Sequence, residues 1–375
     1  MKPISKSHGA LCYAESNVCF RSGRGFSFSG GMLVLLIILA ATATAYALNS
    51  ATVPLPDSTC ERTPQLDHPH VFLKSHNFRA LIFLPDSEHG YYRASRFDWS
   101  GVIGCAIYRG HSYWGQWFGQ YDPMVNDSIT GPVEEFRSPE GAQGYTAAKP
   151  GGLFVKIGVG VLRKESDGLY QFGYTYPLVD PGKWTVQSSS RKVRFQQTLS
   201  SPTGVRYRYV KVLSVSRDGS QVTLHHTITN LGEHPIVTDV YDHDFFMLGG
   251  RPTGPGFSVN PGFTPVLQDS LAPYALLRNG TIVYRQALPA HASAATYMTG
   301  FDSNASGYRI RVEDTVSQTG IEQTADRPIE KFYLWSIRTT VAPEAYIHLD
   351  IPPGKSESWT IQYKLFAGAL PSDNR

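Results

Sequence analysis

Apolar and polar residues alternate in short runs along most of this chain, and turn residues cut the runs at frequent intervals. Val71-Phe72-Leu73, Ala80 to Leu84, Val102 to Tyr108, Leu153 to Leu162 and Tyr170 to Tyr176 read as strands. So do Lys192 to Leu199, Tyr207 to Val215, Gln221 to Thr229, Ile236 to Phe246 and Thr281 to Arg285. The last set is Tyr308 to Val312, Phe332 to Arg338, Tyr346 to Ile351 and Ser358 to Phe366. Arg217-Asp218-Gly219-Ser220, Asn230-Leu231-Gly232, Arg278-Asn279-Gly280 and Pro352-Pro353-Gly354 supply the turns. Long amphipathic helical patterns are nearly absent. The pattern predicts an all-β chain of large antiparallel sheets packed as a sandwich, with few short helices.

Composition agrees: charged residues are 17% and aromatics 12% of the chain, a balance that favours strands over helices. The formal charge of +3 is spread without a basic run, which gives no support for a nucleic-acid partner. The N-terminus departs from the β pattern. Met32 to Ala41 is continuously apolar and is followed by Ala45-Tyr46-Ala47, so residues 1–47 read as a secretory signal cut after Ala47. The competing reading is an uncleaved membrane anchor through residues 32–48. Either way the chain is expected outside the cytoplasm, periplasmic or extracellular, with membrane contact only if the segment stays uncleaved. Residues 48–66 read as a flexible arm, 67–368 as a single β-sandwich domain and 369–375 as a tail.

Export makes Cys60 and Cys105 candidates for one disulfide, since Cys12 and Cys19 fall in the leader. Asn126, Asn279 and Asn304 head glycosylation sequons. No CxxC or HExxH pattern occurs, so no structural or hydrolytic zinc site is expected.

The candidate chemistry centres on Val240-Tyr241-Asp242-His243-Asp244-Phe245-Phe246. In a strand, Tyr241, His243 and Phe245 share one face, and Asp242, Asp244 and Phe246 the other. Histidine is the side chain most readily tuned to exchange protons near neutral pH. Asp242 or Asp244 orients the imidazole only if the strand is bulged there; a core histidine is the plainer alternative. A second cluster, Gly90 to Gly101, puts Arg96 and Asp98 beside Trp99, as directed donors and an aromatic face suit a sugar. Arg96 and Asp98 equally suit an ion pair on one strand face. Glu134 and Glu135 are adjacent, so at most one lines a given pocket, and His111 opens an aromatic stretch with Tyr113, Trp114 and Trp117. Glu344 stands ahead of an alternating strand, where either a surface carboxylate or a rim-mounted general base belongs.

Asp242-His243-Asp244-Phe245-Phe246 resembles the Asn-His-Ser-Tyr-Phe block of the aldose 1-epimerase (galactose mutarotase) family. Pro343-Glu344-Ala345-Tyr346-Ile347 through Pro353-Gly354 to Trp359-Thr360-Ile361-Gln362-Tyr363 resembles the closing strands of galactose mutarotase-like proteins. Arg93 to Gly101 and Gly131 to Phe136 are similar to an exported bacterial branch of that superfamily. The resemblance implies a β-supersandwich with a sugar-binding cleft, taking a mono- or oligosaccharide and needing no cofactor. It implies His243 as the acid that protonates the ring oxygen and, chosen among Glu313, Glu330 and Glu344, Glu344 as the candidate base at the anomeric hydroxyl, on opposite sides of the bound ring. Arg96, Asp98, Trp99, His111, Glu134, Glu135, Asp242 and Asp244 are the expected substrate contacts. Two departures stand out: Asp242 replaces the family asparagine, and Ile129-Thr130 stand where a family histidine precedes the glycine. The activity read from these residues is anomer interconversion. The alternatives are a non-catalytic carbohydrate-binding module, a lyase or glycosidase using Glu134 or Glu135 with Asp244, or a structural envelope protein.

Overall fold

The computed structural model describes residues 66–368. The signal or anchor segment, most of the arm, Cys60 and the tail lie outside them. Among the described residues no helix is long and apolar enough to cross a membrane.

The alternating runs form the expected strands. A four-stranded sheet opens the domain with β1 (His70–Ser75), β2 (Phe78–Phe83), β3 (Ile103–Tyr108) and β4 (His111–Trp114). Then come β5 (Val133–Arg137) and a small sheet of β6 (Leu153–Lys156), β7 (Gly160–Arg163) and β8 (Leu178–Asp180). The chain continues through β9 (Lys183–Ser189), β10 (Lys192–Ser200), β11 (Arg206–Val215), β12 (Gln221–Asn230) and β13 (Ile236–His243). Next are β14 (Phe257–Asn260), β15 (Val266–Leu267), β16 (Ala275–Arg278), β17 (Thr281–Tyr284) and β18 (Ser293–Thr299). The last strands are β19 (Arg309–Asp314), β20 (Thr319–Ala325), β21 (Lys331–Ile337), β22 (Thr340–Ile351) and β23 (Ser356–Ala367).

Two large antiparallel sheets dominate: a ten-stranded one in the order β16-β17-β14-β19-β20-β23-β12-β11-β10-β9, and a six-stranded one in the order β15-β18-β21-β22-β13-β5. They pack face to face over one apolar core. Tyr209, Leu224, Trp359 and Ile361 from the larger sheet meet Phe136, Val240, Ile347 and Leu349 from the smaller. Phe136 sets its ring edge-on to Tyr209 and Trp359 at 5.5 and 6.1 Å. Because strand residues alternate, the six-stranded sheet turns Phe332, Leu334 and Ser336 of β21 into this core and leaves Tyr333 and Trp335 half-buried on its other face.

Strands such as β9, β18 and β20 fall outside the runs read from the sequence, and three of those runs depart from their reading for physical reasons. Leu153 to Leu162 is a hairpin rather than one strand: Gly158 (φ +77°) turns the chain, and a Cβ there meets the Asp98 carboxyl at 2.7 Å. Tyr170 to Tyr176 contains no strand, its apolar character serving a ring cluster of Tyr145, Phe154, Tyr170 and Tyr176. And β22 starts at Thr340, six residues early, running straight through Pro343, which pairs with Leu334. Glu344 therefore sits inside a strand and not ahead of one.

Candidate functional site

β13 fixes the site. It pairs with β22 from Ile236 opposite Ile351 to Val240 opposite Ile347, and backbone bonds of 2.9 and 3.2 Å rejoin Phe246 to Val341 in the same register. That register sets His243 directly opposite Glu344 on the face away from the core. Their side chains meet there, His243 Nε2 lying 3.2 Å from Glu344 Oε1, both about 95% buried. The structure thus brings together the two residues singled out as acid and base.

The imidazole is held by rings. Phe245 stacks on it at 3.7 Å and 11°, Trp335 and Phe97 meet it edge-on at 5.4 and 5.7 Å, and Trp117 stacks on the far side of Phe245. Stacking of i and i+2 side chains this close needs the chain to leave the extended conformation, and Phe245 does so with φ +44°, uncommon for a bulky residue. Gly131 closes the other side: a Cβ there would lie 2.6 Å from the His243 carbonyl oxygen and 2.5 Å from that of Asp244. His243 Nδ1 is buried and has no hydrogen-bond partner among the described residues. Burial first, then the Arg96 guanidinium, holds the imidazole pKa well below its ordinary value against the pull of Glu135.

Beside the pair, Tyr241 stacks on Tyr346 at 4.2 Å, and the Tyr346 hydroxyl donates to Glu344 Oε2 at 3.4 Å. The Tyr241 hydroxyl donates to Glu135 at 2.6 Å. Arg96 donates to Glu135 (2.9 Å), Asp127 (2.8 Å) and Tyr241 (3.2 Å). Lys156 and Arg137 complete a ring of cations around Glu135 at 3.4 and 3.5 Å. Burial opposes the Glu135 charge, but Arg96, Lys156 and Arg137 outweigh it and hold the carboxyl well below the usual range. Asn126 aims Arg96: it is buried, its Oδ1 accepts from the amides of Ser95 and Arg96 at 3.1 Å, and its Nδ2 donates to Phe172. Burial of Asn126 leaves its sequon no exposed amide for a glycan in the folded chain.

The remaining expected contacts go elsewhere. Glu134 faces the core, where His226 Nε2 lies 2.6 Å away and Lys211 forms an ion pair with it. Asp98 is 3.7 Å from the same Lys211 and accepts from Ser100 (2.6 Å) and Tyr209 (3.0 Å). Arg96 and Asp98 therefore do not pair; the bends after Ser95 send them to opposite networks. Asp242 and Asp244 do not orient His243. Both are completely buried and share the Tyr363 hydroxyl, at 2.5 and 2.8 Å. One phenol proton cannot serve two carboxylates, so one carboxyl is itself protonated. Consistently, burial and then Glu134 raise Asp242 to about 8, and burial and then Asp242 raise Asp244 well above its ordinary value. Trp99 is buried, its indole N–H donating to Ala94. His111 opens β4 in the four-stranded sheet. A ring lying between His243 and Glu344 is also excluded in this geometry, because the two groups already touch.

Sequence reasoning passed over Arg137, Lys156, Tyr333, Trp335 and Tyr346. For Tyr333 and Trp335 the signal was present as strict alternation along β21, once the apolar partners Phe332 and Leu334 are assigned to the core. Cys105 is held in a disulfide, though its expected partner Cys60 lies outside the described residues. No group of three or more metal-ligating side chains occurs among the described residues.

No protein-family model matches this chain, and neither does any curated protein. Its fold is that of galactose mutarotase-like structures. A galactose mutarotase-like protein from Clostridium acetobutylicum superposes with a TM-score of 0.51 and 13% identity, covering 80% of this chain and 95% of that one. The Slr1438 protein of Synechocystis sp. PCC 6803 superposes with a TM-score of 0.50 and 14% identity, covering 80% and 97%.

Proposed function

We propose that this chain binds an aldose on the outer face of the six-stranded sheet and interconverts its anomers through His243 and Glu344. The observation that carries the proposal is the cross-strand contact of an imidazole and a carboxylate at 3.2 Å, beside a buried nitrogen that no group among the described residues satisfies. The fold shared with mutarotase-like structures supports the class of ligand. Half-buried Tyr333 and Trp335 on the same face supply rings on which a sugar's C–H surface stacks.

Because the imidazole is neutral, the pair works as a relay and not as a charged acid facing a base. The sugar lies against the pair. Glu344 takes the proton of the anomeric hydroxyl as the bond from the anomeric carbon to the ring oxygen breaks. In the tautomer protonated on Nδ1, His243 gives that proton to the ring oxygen and is refilled at Nε2 from Glu344. The carboxylate is regenerated, the imidazole has changed tautomer, and the open aldehyde rotates before closure runs the steps backwards. Export of the chain belongs to the same proposal and rests on the apolar run from Met32 and the Ala45-Tyr46-Ala47 site.

Polarimetry and exchange NMR on freshly dissolved aldoses, neutral and acidic, test it. The expected result is a faster approach to anomeric equilibrium, lost in Glu344→Gln. Unchanged rates with every aldose would remove the chemistry. Saturable quenching of tryptophan fluorescence without turnover would instead establish a binding module, the second reading that half-buried Tyr333 and Trp335 favour.

A further inference from the structure

Arg96 and Arg137 both attend Glu135 but are bound very differently. Arg96 is nearly buried and spends its donors at 2.8 to 3.2 Å on Glu135, Asp127 and Tyr241. The Arg137 side chain is 25% exposed and reaches Glu135 and the Tyr346 hydroxyl only at 3.5 Å each, the outer limit of a hydrogen bond. Phe172 lies against both guanidinium groups, at 4.6 Å from Arg96 and 5.3 Å from Arg137. Arg137 is thus aimed and backed, with its donor fork hardly spent.

Charge points the same way. Glu135 is a single buried carboxylate among three cations, Arg96, Arg137 and Lys156. Asp127, the other carboxylate on Arg96, is 58% exposed and correspondingly screened. Glu344 meets Arg137 through the Tyr346 hydroxyl, which contacts both. Burial lowers the Lys156 pKa to about 8, with Arg137 and Arg96 adding to it against the pull of Glu135. On the other side of Tyr346 the Lys331 ammonium lies 4.8 Å from its ring centre.

Resting on the sugar site proposed above, we infer that the ligand is an acidic aldose whose carboxylate or phosphate ester docks on Arg137. The distances define the reach. The Tyr346 hydroxyl touches both Arg137 and Glu344, and Glu344 touches His243, so the anion dock and the proton-transfer pair are separated by one hydroxyl oxygen. A pyranose carries its anomeric carbon and its C5 substituent on either side of the ring oxygen. A ring with its anomeric hydroxyl at the pair therefore directs a C6 carboxylate or phosphate along the face towards Arg137. A planar fork matches either anion with two parallel hydrogen bonds, which an ammonium cannot do.

Titration calorimetry of the purified protein with D-glucuronate, D-galacturonate, the two hexose 6-phosphates and the parent hexoses decides the matter. The expected result is about tenfold or greater preference for one acidic class over its neutral parent, falling as salt is raised. The two anion arms identify whether carboxylate or phosphate is read. Arg137→Met should bring the acidic-to-neutral affinity ratio to within about twofold, and Arg137→Lys should restore only part of it. Equal affinity for acidic and neutral sugars overturns the inference and leaves the anomer chemistry standing. Acidic preference without faster anomer exchange does the reverse. Absence of binding to every sugar sinks both.

Discussion

Glu134 and Glu135 are neighbours in sequence on one strand, yet they sit in opposite kinds of chemistry. Glu135 shares its face with Tyr241 and His243, and its partners lead outwards through Arg137 and Asp127 to solvent. Glu134 shares its face with Asp242 and is sealed with Lys211, His226 and Asp98, every one of them buried. Both faces hold carboxylates, a histidine and a lysine. Each face has a histidine whose Nδ1 lacks a partner among the described residues, but the outer one adds half-buried rings and a weakly held arginine, which are what a ligand would use. The inner face has its charges matched within the protein, and its histidine is stacked 4.6 Å from Trp359. Residue type therefore does not mark a site; the strand face does.

The largest effect expected from this contrast is kinetic. Glu344→Gln and His243→Gln should each slow anomer exchange by about 10²- to 10⁴-fold, the range for losing a positioned proton-transfer group. Urea unfolding should move far less than in the inner-face variant that follows. An equal collapse of activity and stability would make His243 a core histidine and erase the difference between the faces.

Lys211→Met attacks the inner face. It strands Glu134 with only His226 for company, and breaking a buried pair from one side costs about 3–5 kcal/mol. Pairing it with Glu134→Leu should recover much of that loss, since no charge is then left buried. If the single variant unfolds within about 1 kcal/mol of the parent, the inner network is dispensable.

Gly131→Ala tests what joins the two faces. The added Cβ meets backbone carbonyl oxygens of His243 and Asp244 at 2.6 and 2.5 Å, so the end of β13 must shift. About 1–3 kcal/mol of stability should be lost, with a fall in anomer exchange beyond what the stability loss explains. Unaltered exchange kinetics would show that the position of His243 is not critical.

Much of this was legible in the alternation of the sequence. The turn at Arg278-Asn279-Gly280 was, with Asn279 and Gly280 both at positive φ; so was the placement of Tyr241 and His243 on one face. The pairing of His243 with Glu344 came from family likeness, because the register between β13 and β22 is set by contacts a hundred residues apart. What stayed hidden was which acidic groups the core absorbs. Asp98, Glu134, Asp242 and Asp244 look like active-site carboxylates in one dimension, and only Lys211, His226 and Tyr363, on the facing sheet, show them to be engaged inside the core.

The smallest expected effect is the sharpest test of that matching, because the faces respond to pH with opposite sign. Asp242 is raised to about 8, so the folded chain holds its proton at neutral pH and the unfolded chain does not. Its stabilisation is complete below the ordinary carboxylate pKa and drains away as pH climbs towards 8. Glu135 is depressed, and its contribution is present above the ordinary carboxylate pKa and lost only on acidification. Asp242→Asn should therefore lessen the fall in unfolding free energy between about pH 5 and pH 8 by about 1 kcal/mol, with Asp244 taking over part of the titration. Glu135→Gln should leave that alkaline limb unchanged and flatten the acid one. Chemical denaturation across pH measures both limbs, and an alkaline limb that Asp242→Asn does not alter would mean that the shared Tyr363 hydroxyl, not a proton, keeps the two carboxyls together.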